Sequence, residues 1–416
     1  MAPGSDLPGA AAESGAPARF DAVLLVSFGG PEGPEEVWPF LRSVTKGRGV
    51  PDERLAEVAG HYQLFGGRSP INDQNRALLE LLRPELAPRA LYWGNRNSPP
   101  FLADAVAQMA ADGVRSAAVF VTAAYASYSS CRQYREDLAG AITAATAAAP
   151  EGPDPAGIRF HKLRHYYNHP GFIEAQVDRV REALIEAAAA GADQRPADDN
   201  VPRLVFTAHS IPVAAADSSG PPGGRGAYPR QLAETARLVA EGVGAAGAAG
   251  AAGAAGAAGQ DEGWDLVYQS RSGPPSVPWL GPDVVEHLEH LAEGGVHDVV
   301  VVPSGFVSDH LEVAFDLDVE AREAAQQLGI RLTRASTVGT HPAFVQMVHE
   351  LVDEREHAEH AGPRFDGVRP VAGGTAPSHD VCPLDCCPGR VRKPAAAGTE
   401  LDWHAPIGDG EPSVRR

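Results

Sequence analysis

With 416 residues, 44% hydrophobic and 21% charged, the chain is long enough for two core-bearing units, since single cores rarely grow past roughly 250 to 300 residues. A net charge of −19 opposes a nucleic-acid partner, and no apolar run approaches the roughly 20 residues that a membrane-spanning helix needs. Four cysteines are too few for a disulfide scaffold.

The first 19 residues read as a disordered N-terminus, with neither the basic and apolar regions of a secretory signal nor the acid-poor composition of a transit peptide. The expected location is cytoplasmic. From residue 20, β-branched apolar runs alternate with helical patterns: AVLLVSF (22–28), ALYWG (90–94), AAVFVTA (117–123), RLVFTAH (203–209), DLVYQS (265–270) and DVVVVPS (298–304). Buried runs separated by helices predict an α/β fold with doubly wound parallel sheets. The glycines of SFGGPEG (27–33) and LFGGRSP (64–70) fit tight turns and match neither a dinucleotide nor a P-loop fingerprint. Between them, Arg42, Lys46, Arg48 and Arg54 suit either a solvated surface or the carboxylates of an anionic ligand.

The chain repeats itself. GVRSAAVFVTAAYASYSS from Gly113 parallels GVHDVVVVPSGFVSDHLE from Gly295, and NHPGFIEAQVDRVREAL from Asn168 parallels THPAFVQMVHELVDER from Thr340. Two Rossmann-like lobes related by internal duplication follow, 20–190 and 200–355. The Ala-Ala-Gly triplets at 245–259 read as a flexible insertion in the second, and 356–416 as a C-terminal extension. Open α/β sheets bind ligands beyond the carboxyl ends of their strands, so the strand-end loops are where chemistry is expected.

His209 ends one such strand. An isolated histidine there is commonly a structural hydrogen-bonding group, and it gains weight only if partners converge on it. Partners are offered by SDHLEVAFDLDVE, where Ser308 is expected to cap a helix carrying Glu312, Asp316 and Glu320 at i, i+4 and i+8. Three carboxylates in a row suit a solvated face, but the apolar residues around them predict partial burial, and a buried row needs protons or a cation. His209 with Glu312 would then bind ferrous iron transiently and accept protons. In the extension, SHDVCPLDCCPGR gathers Cys382, Cys386 and Cys387; Cys131 stands alone in SYSSCRQY. A reducing compartment disfavours a disulfide, and by ligand type four thiolates suit zinc or an iron–sulfur cluster equally.

Taken together, SFGGPE, LFGGRSPI, FTAHSIP, YQSRSGPPSVPWLGP and SGFVSDHLEVAFDLDVE, over residues 20–355, resemble the ferrochelatase family, which inserts ferrous iron into a porphyrin. The resemblance implies a chelatase-like fold with porphyrin between two lobes. It makes His209 and Glu312 catalytic, with His310, Asp316 and Glu320 along a proton or metal path. It also implies a 2Fe-2S cluster on Cys131, Cys382, Cys386 and Cys387, although the C-x3-C-C spacing departs from the wider tail spacing of animal members. Membrane-associated relatives carry an apolar lip near residues 40–60, and the charged stretch here is similar instead to the soluble monoderm branch. That branch makes coproheme from coproporphyrin III, which places Lys46, Arg48, Tyr62 and Ser69 as propionate contacts. Phe28 lies on the distal side of the porphyrin, where many soluble relatives have tyrosine, so an axial tyrosine contact is absent there. Expected partners are coproporphyrin III and ferrous iron, with an iron donor or a downstream haem enzyme. Competing readings are a protoporphyrin IX ferrochelatase, a cobalt or nickel chelatase for another tetrapyrrole, and a haem- or iron-responsive binding protein on the same fold.

Overall fold

The computed structural model describes residues 20–398 except 48, 192–200, 245–262, 275, 362–366 and 392. The Ala-Ala-Gly insertion, the first 19 residues and Arg48 therefore lie outside the described residues. Two four-stranded sheets carry the fold. The first joins β1 (Ala22–Ser27), β2 (Ala90–Asn95), β3 (Ser116–Val121) and β4 (Arg159–Lys162) in the order β2-β1-β3-β4. The second joins β5 (Arg203–His209), β6 (Trp264–Gln269), β7 (Asp298–Val302) and β8 (Arg331–Arg334) in the order β6-β5-β7-β8. Every ladder is parallel, and the two orders are the same permutation. Six strands were legible as apolar runs; β4 (RFHK) and β8 (RLTR) were not, because each is a four-residue edge strand with a single apolar residue, although three of the four residues of β4 are buried.

Twelve helices cover the sheets among the described residues: α1 (Pro34–Val44), α2 (Asp52–Leu64), α3 (Ile71–Leu86), α4 (Leu102–Ala111), α5 (Gln133–Ala148), α6 (Pro170–Gly191), α7 (Val213–Ser218), α8 (Ala227–Gly242), α9 (Val284–Glu293), α10 (Leu311–Phe315), α11 (Ala321–Leu328) and α12 (Pro342–Ala361). None is long and apolar enough to cross a membrane. The two helices opened by His-Pro-x-Phe exchange sheets. α6 lies against β7, β8 and α8, whereas α12 returns to α3 and β3 and packs along α6.

The repeat has a physical purpose at that crossing. His169 and His341 each accept, at Nδ1, a backbone N–H two residues on, from Gly171 and Ala343 at 3.2 Å. Each thereby satisfies a donor that a helix start leaves unpaired. The two phenylalanines of the repeats, Phe172 and Phe344, are fully buried with ring centroids 6.3 Å apart. A Cβ on Gly171 would meet the Ala343 carbonyl oxygen at 2.7 Å, so glycine is what lets the helices close. Buried ion pairs fasten the returning helix: Arg89 to Glu356 and Arg164 to Glu354. The result is one continuous core reaching from Val23 and Phe120 to Phe206 and Val300.

Candidate active site and tail metal centre

β5 is buried from Leu204 to Ala208 and ends where His209 meets solvent, its side chain 34% exposed. Nδ1 of His209 lies 2.5 Å from the Ser210 carbonyl. A carbonyl can only accept, so Nδ1 carries the hydrogen and Nε2 is the free position. That nitrogen stands 3.5 Å from the Glu312 carboxylate, which also lies 4.0 Å from His310 Nδ1. Desolvation pulls the His209 imidazolium down. The hydrogen bond and charge of Glu312, the Ser210 carbonyl and Asp316 outweigh it, so the group sits above the ordinary histidine value. His310 goes the other way, lowered chiefly by desolvation and by neighbouring His209, and stays neutral. The two imidazoles flanking one carboxylate are thus pushed apart in basicity, as an acid and base pair requires.

The acidic helix differs from its expected form in two respects. Ser308 does not cap it: the helix starts at Leu311 behind His310, which makes no side-chain cap bond, and the Ser308 hydroxyl is buried without a partner. The row is also not a plain α spacing, because α10 passes into a π turn, Asp316–Glu320, before α11. The wider turn leaves Asp316 half-buried against the end of β6, where Gln269 Nε2 donates at 3.2 Å and the Ser270 hydroxyl also donates. Burial, with Glu312 and Glu320 nearby, raises the Asp316 carboxyl to about 7 despite those two donors. Glu312 and Glu320 are exposed, so the row is buried only at its centre. Glu320 sits among Asp283, Arg54, Glu323 and Glu57.

The first lobe supplies the facing wall. His61 of α2 stacks on Phe315 at 3.7 Å, and Tyr62 is buried with Phe40, Leu41 and Leu311 close enough to Glu312 to feel its charge. Phe28, just past β1, packs edge-on against Phe40 at 6.2 Å and lies under the Arg96 guanidinium. Ser69 is buried against Gly30, whose Cβ would meet it at 2.5 Å. Lys46 is exposed in the turn after α1. Arg54 pairs with Glu57, and Arg42 lies over Trp38. Sequence reasoning missed the polar hub behind this wall. Asn95 donates to Asn72, Asn72 to the Gly30 carbonyl and Asn75 to the Ser27 hydroxyl, all buried. It also missed Gln74 of α3, which accepts from the Asp309 backbone N–H at 2.8 Å and so holds the start of the acidic helix against the other lobe. Nothing but the polarity of three α3 positions and of the last residue of β2 signalled these residues.

The four cysteines converge. Cys131 sits in a π turn, Tyr128–Arg132, that leads into α5. Its Sγ is 3.9 Å from that of Cys382, and Cys386 Sγ is 4.0 Å from Cys387 Sγ. All four are buried and none is disulfide-bonded. The tail is brought there by backbone contacts: Arg132 and Arg135 donate to the carbonyls of Lys393 and Ala396, and Cys387 exchanges hydrogen bonds with Gly220, its Sγ accepting at 3.1 Å. Packing thiols this closely in an apolar pocket disfavours ionising them all, and the charge of Lys162 offsets part of that on Cys131 and Cys382. His379 Nε2 lies 3.7 Å from Cys386 Sγ, a donor the sequence reading did not include.

Residues 20–356 match the family model described as ferrochelatase. The chain is 50% identical over 392 residues to the coproporphyrin III ferrochelatase of Streptomyces coelicolor, across 92% of this chain and 97% of that one. It is 44% identical over 384 residues to a ferrochelatase of Rhodopirellula baltica, across 91% and 96% respectively. Among solved structures, SirB from Bacillus subtilis with Fe3+ aligns at 13% identity and a TM-score of 0.44, covering 83% of this chain and 99% of that one.

Proposed function

The chain belongs to the ferrochelatase family, and from that membership we propose that it inserts ferrous iron into coproporphyrin III, with His209 Nε2 taking the pyrrole protons. The observation that carries this reading is the His209–Glu312 contact of 3.5 Å at the strand ends that face the first lobe. Metalation exchanges two N–H protons for one Fe2+, so the site must accept two protons and stabilise the cation left behind. A neutral His209 with Nδ1–H held by the Ser210 carbonyl presents Nε2 as base, and Glu312 stabilises the imidazolium that forms. Asp316, near 7, exists in both protonation states at neutral pH and suits the onward step, with exposed Glu320 beyond it. His310, kept neutral, completes the path. His209 and Glu312 also offer an imidazole and a carboxylate to the incoming iron.

Coproporphyrin carries four propionates and needs cations where protoporphyrin relatives need an apolar lip. Lys46, Arg48, Tyr62 and Ser69 are the proposed propionate contacts, and Phe28 the proposed ring-side wall. Tyr62 and Ser69 are buried, so contact with a propionate requires the segments that cover them to open. We further propose that Cys131, Cys382, Cys386 and Cys387 hold a 2Fe-2S cluster. Four buried, unpaired thiols within one pocket fit its ligand requirement, and when bound it would supply a one-electron couple and a tie for the tail. A tetra-anionic, water-soluble substrate suits an enzyme of the cytoplasm.

The test is anaerobic Fe2+ with coproporphyrin III and, separately, protoporphyrin IX, followed by the Soret change. Turnover of protoporphyrin equal to or better than coproporphyrin refutes the substrate. His209→Ala should lose ~10²- to 10⁴-fold in rate while still shifting the porphyrin spectrum on binding; near-normal turnover removes His209 from its role.

A further inference from the structure

The tail pocket holds a fifth donor that a four-cysteine cluster leaves unused. His379 precedes Cys382 and Cys386 in H-x2-C-x3-C, and its imidazole nitrogen and the two sulfurs all lie within 4.8 Å of one another. Cys131 Sγ is 3.9 Å from Cys382 Sγ, and His379 Nε2 is 3.7 Å from Cys386 Sγ. In a tetrahedral zinc site with Zn–S of about 2.3 Å and Zn–N of about 2.0 to 2.1 Å, neighbouring donors stand about 3.5 to 3.8 Å apart. The 3.7 and 3.9 Å separations are close to those edges, and Cys131, beside Cys382 but outside the 4.8 Å group of the other three donors, would close on the ion as it binds. Cys387 is the sulfur with another engagement, since its Sγ and its backbone N–H are both bonded to Gly220. Charge points the same way. Three thiolates and an imidazole around a divalent ion leave one negative charge, and the buried Lys162 ammonium acts on Cys131 and Cys382.

We propose that Cys131, Cys382, Cys386 and His379 form a mononuclear tetrahedral site for a zinc-type divalent cation, taken up when the pocket has not received a cluster. The inference rests on reading the pocket as a metal cradle. It adds a ligand, His379, and a second occupant that excludes the first because they share three cysteines. Loading is a proton exchange without redox change: three thiols release their protons to solvent as the ion binds. Either occupant would keep the tail docked on Arg132, Arg135 and the Gly220 loop.

The experiment uses the full-length chain, stripped of iron and sulfide without oxygen and titrated with Co2+ and then Zn2+. One Co2+ per chain is expected, with thiolate charge-transfer and tetrahedral d–d absorption that Zn2+ abolishes. His379→Gln should weaken Co2+ binding ~10-fold or more, on the scale of losing a metal-site partner. His379→Cys should restore tetrahedral absorption with greater sulfur character, which separates loss of a ligand from loss of fold. Cys387→Ser should leave the Co2+ spectrum unchanged. Unchanged affinity and spectrum in His379→Gln, loss of the site in Cys387→Ser, or no Co2+ bound at all would overturn the proposal. Iron–sulfur absorbance of the protein as isolated reports on the cluster separately: its absence refutes the cluster and leaves the cobalt titration to decide this site.

Discussion

Replacing Glu312 by Gln keeps the shape of the group beside His209 and removes its charge. At 3.5 Å, a full charge pair is worth about 1.2 kcal/mol in water and about 5 kcal/mol at an effective dielectric near 20. The Glu312 side chain is 52% exposed and that of His209 34%, so the pair belongs near the water end of that range. About 1.2 kcal/mol of lost imidazolium stabilisation is about sevenfold in rate. The pH profile carries the sharper signature. As a base, His209 must be neutral, so kcat/KM rises with pH through its ionisation, and Glu312 now holds that ionisation above the ordinary histidine value. Without the carboxylate, desolvation is left opposed only by the Ser210 carbonyl and Asp316, and the acid limb moves to lower pH. Stopped-flow metalation of coproporphyrin III from pH 5 to 9, wild type against Glu312→Gln, measures both effects. A sevenfold slower enzyme whose acid limb has not moved would refute the assignment of that limb to His209 and of its position to Glu312.

Asp316→Asn should remove an ionisation near pH 7 from the turnover profile and stabilise the protein at alkaline pH. The native carboxyl is raised to about 7 from 3.8, so the folded state binds more protons between those values and loses stability as pH rises through them. The melting-temperature gain of the variant should therefore be absent near pH 4, grow towards pH 7 and level off above it; a gain independent of pH contradicts the buried-carboxyl account. With the proposed cluster the wild type should be red-brown and Cys386→Ser colourless, and visible absorbance that survives the change removes Cys386 from the cluster. Tyr228 donates its hydroxyl to the His209 carbonyl at 2.9 Å, so Tyr228→Phe deletes one neutral hydrogen bond worth ~1 kcal/mol. A drop of ~5-fold in kcat with KM unchanged is expected if Tyr228 positions His209, whereas a rise in KM alone would make it a wall of the porphyrin site.

Legibility followed the physics of each feature. Apolar runs such as DVVVVPS announce buried parallel strands because both faces need hydrophobic cover, whereas RFHK and RLTR are four residues long with one apolar residue each, too little to announce a strand. His209 and Glu312 were visible because each closes or follows a buried strand at the end where such sheets bind ligands. The π turn was not, since hydrophobic period alone does not distinguish one five-residue turn inside an 18-residue helical stretch. His379 was hidden by a different limit. Donor identity is in the sequence, but that its nitrogen stands against Cys386, and Cys131 against Cys382, depends on how the tail folds back over α5.

The duplication explains why two such different centres occupy one chain. In each lobe the third strand by sequence ends in a polar loop, and the helix that follows contains a π turn: Tyr128–Arg132 after β3, Asp316–Glu320 beyond β7. A π turn fits an extra residue into the turn and re-aims the side chains around it, which suits a position where ligand geometry matters more than helix regularity. The first lobe uses that device to aim Cys131 at the tail pocket, and the second uses it to seat Asp316 at the end of β6. The centres meet through backbone rather than through substrate. Cys387 is bonded to Gly220, the adjacent Ser219 hydroxyl accepts from the Tyr228 N–H, and the Tyr228 hydroxyl reaches the carbonyl of His209. Hydrogen bonds thus join the tail pocket to the segment that holds His209, a path along which a metal in that pocket would act on the proposed base by ordering it, with no electron passing between the two sites.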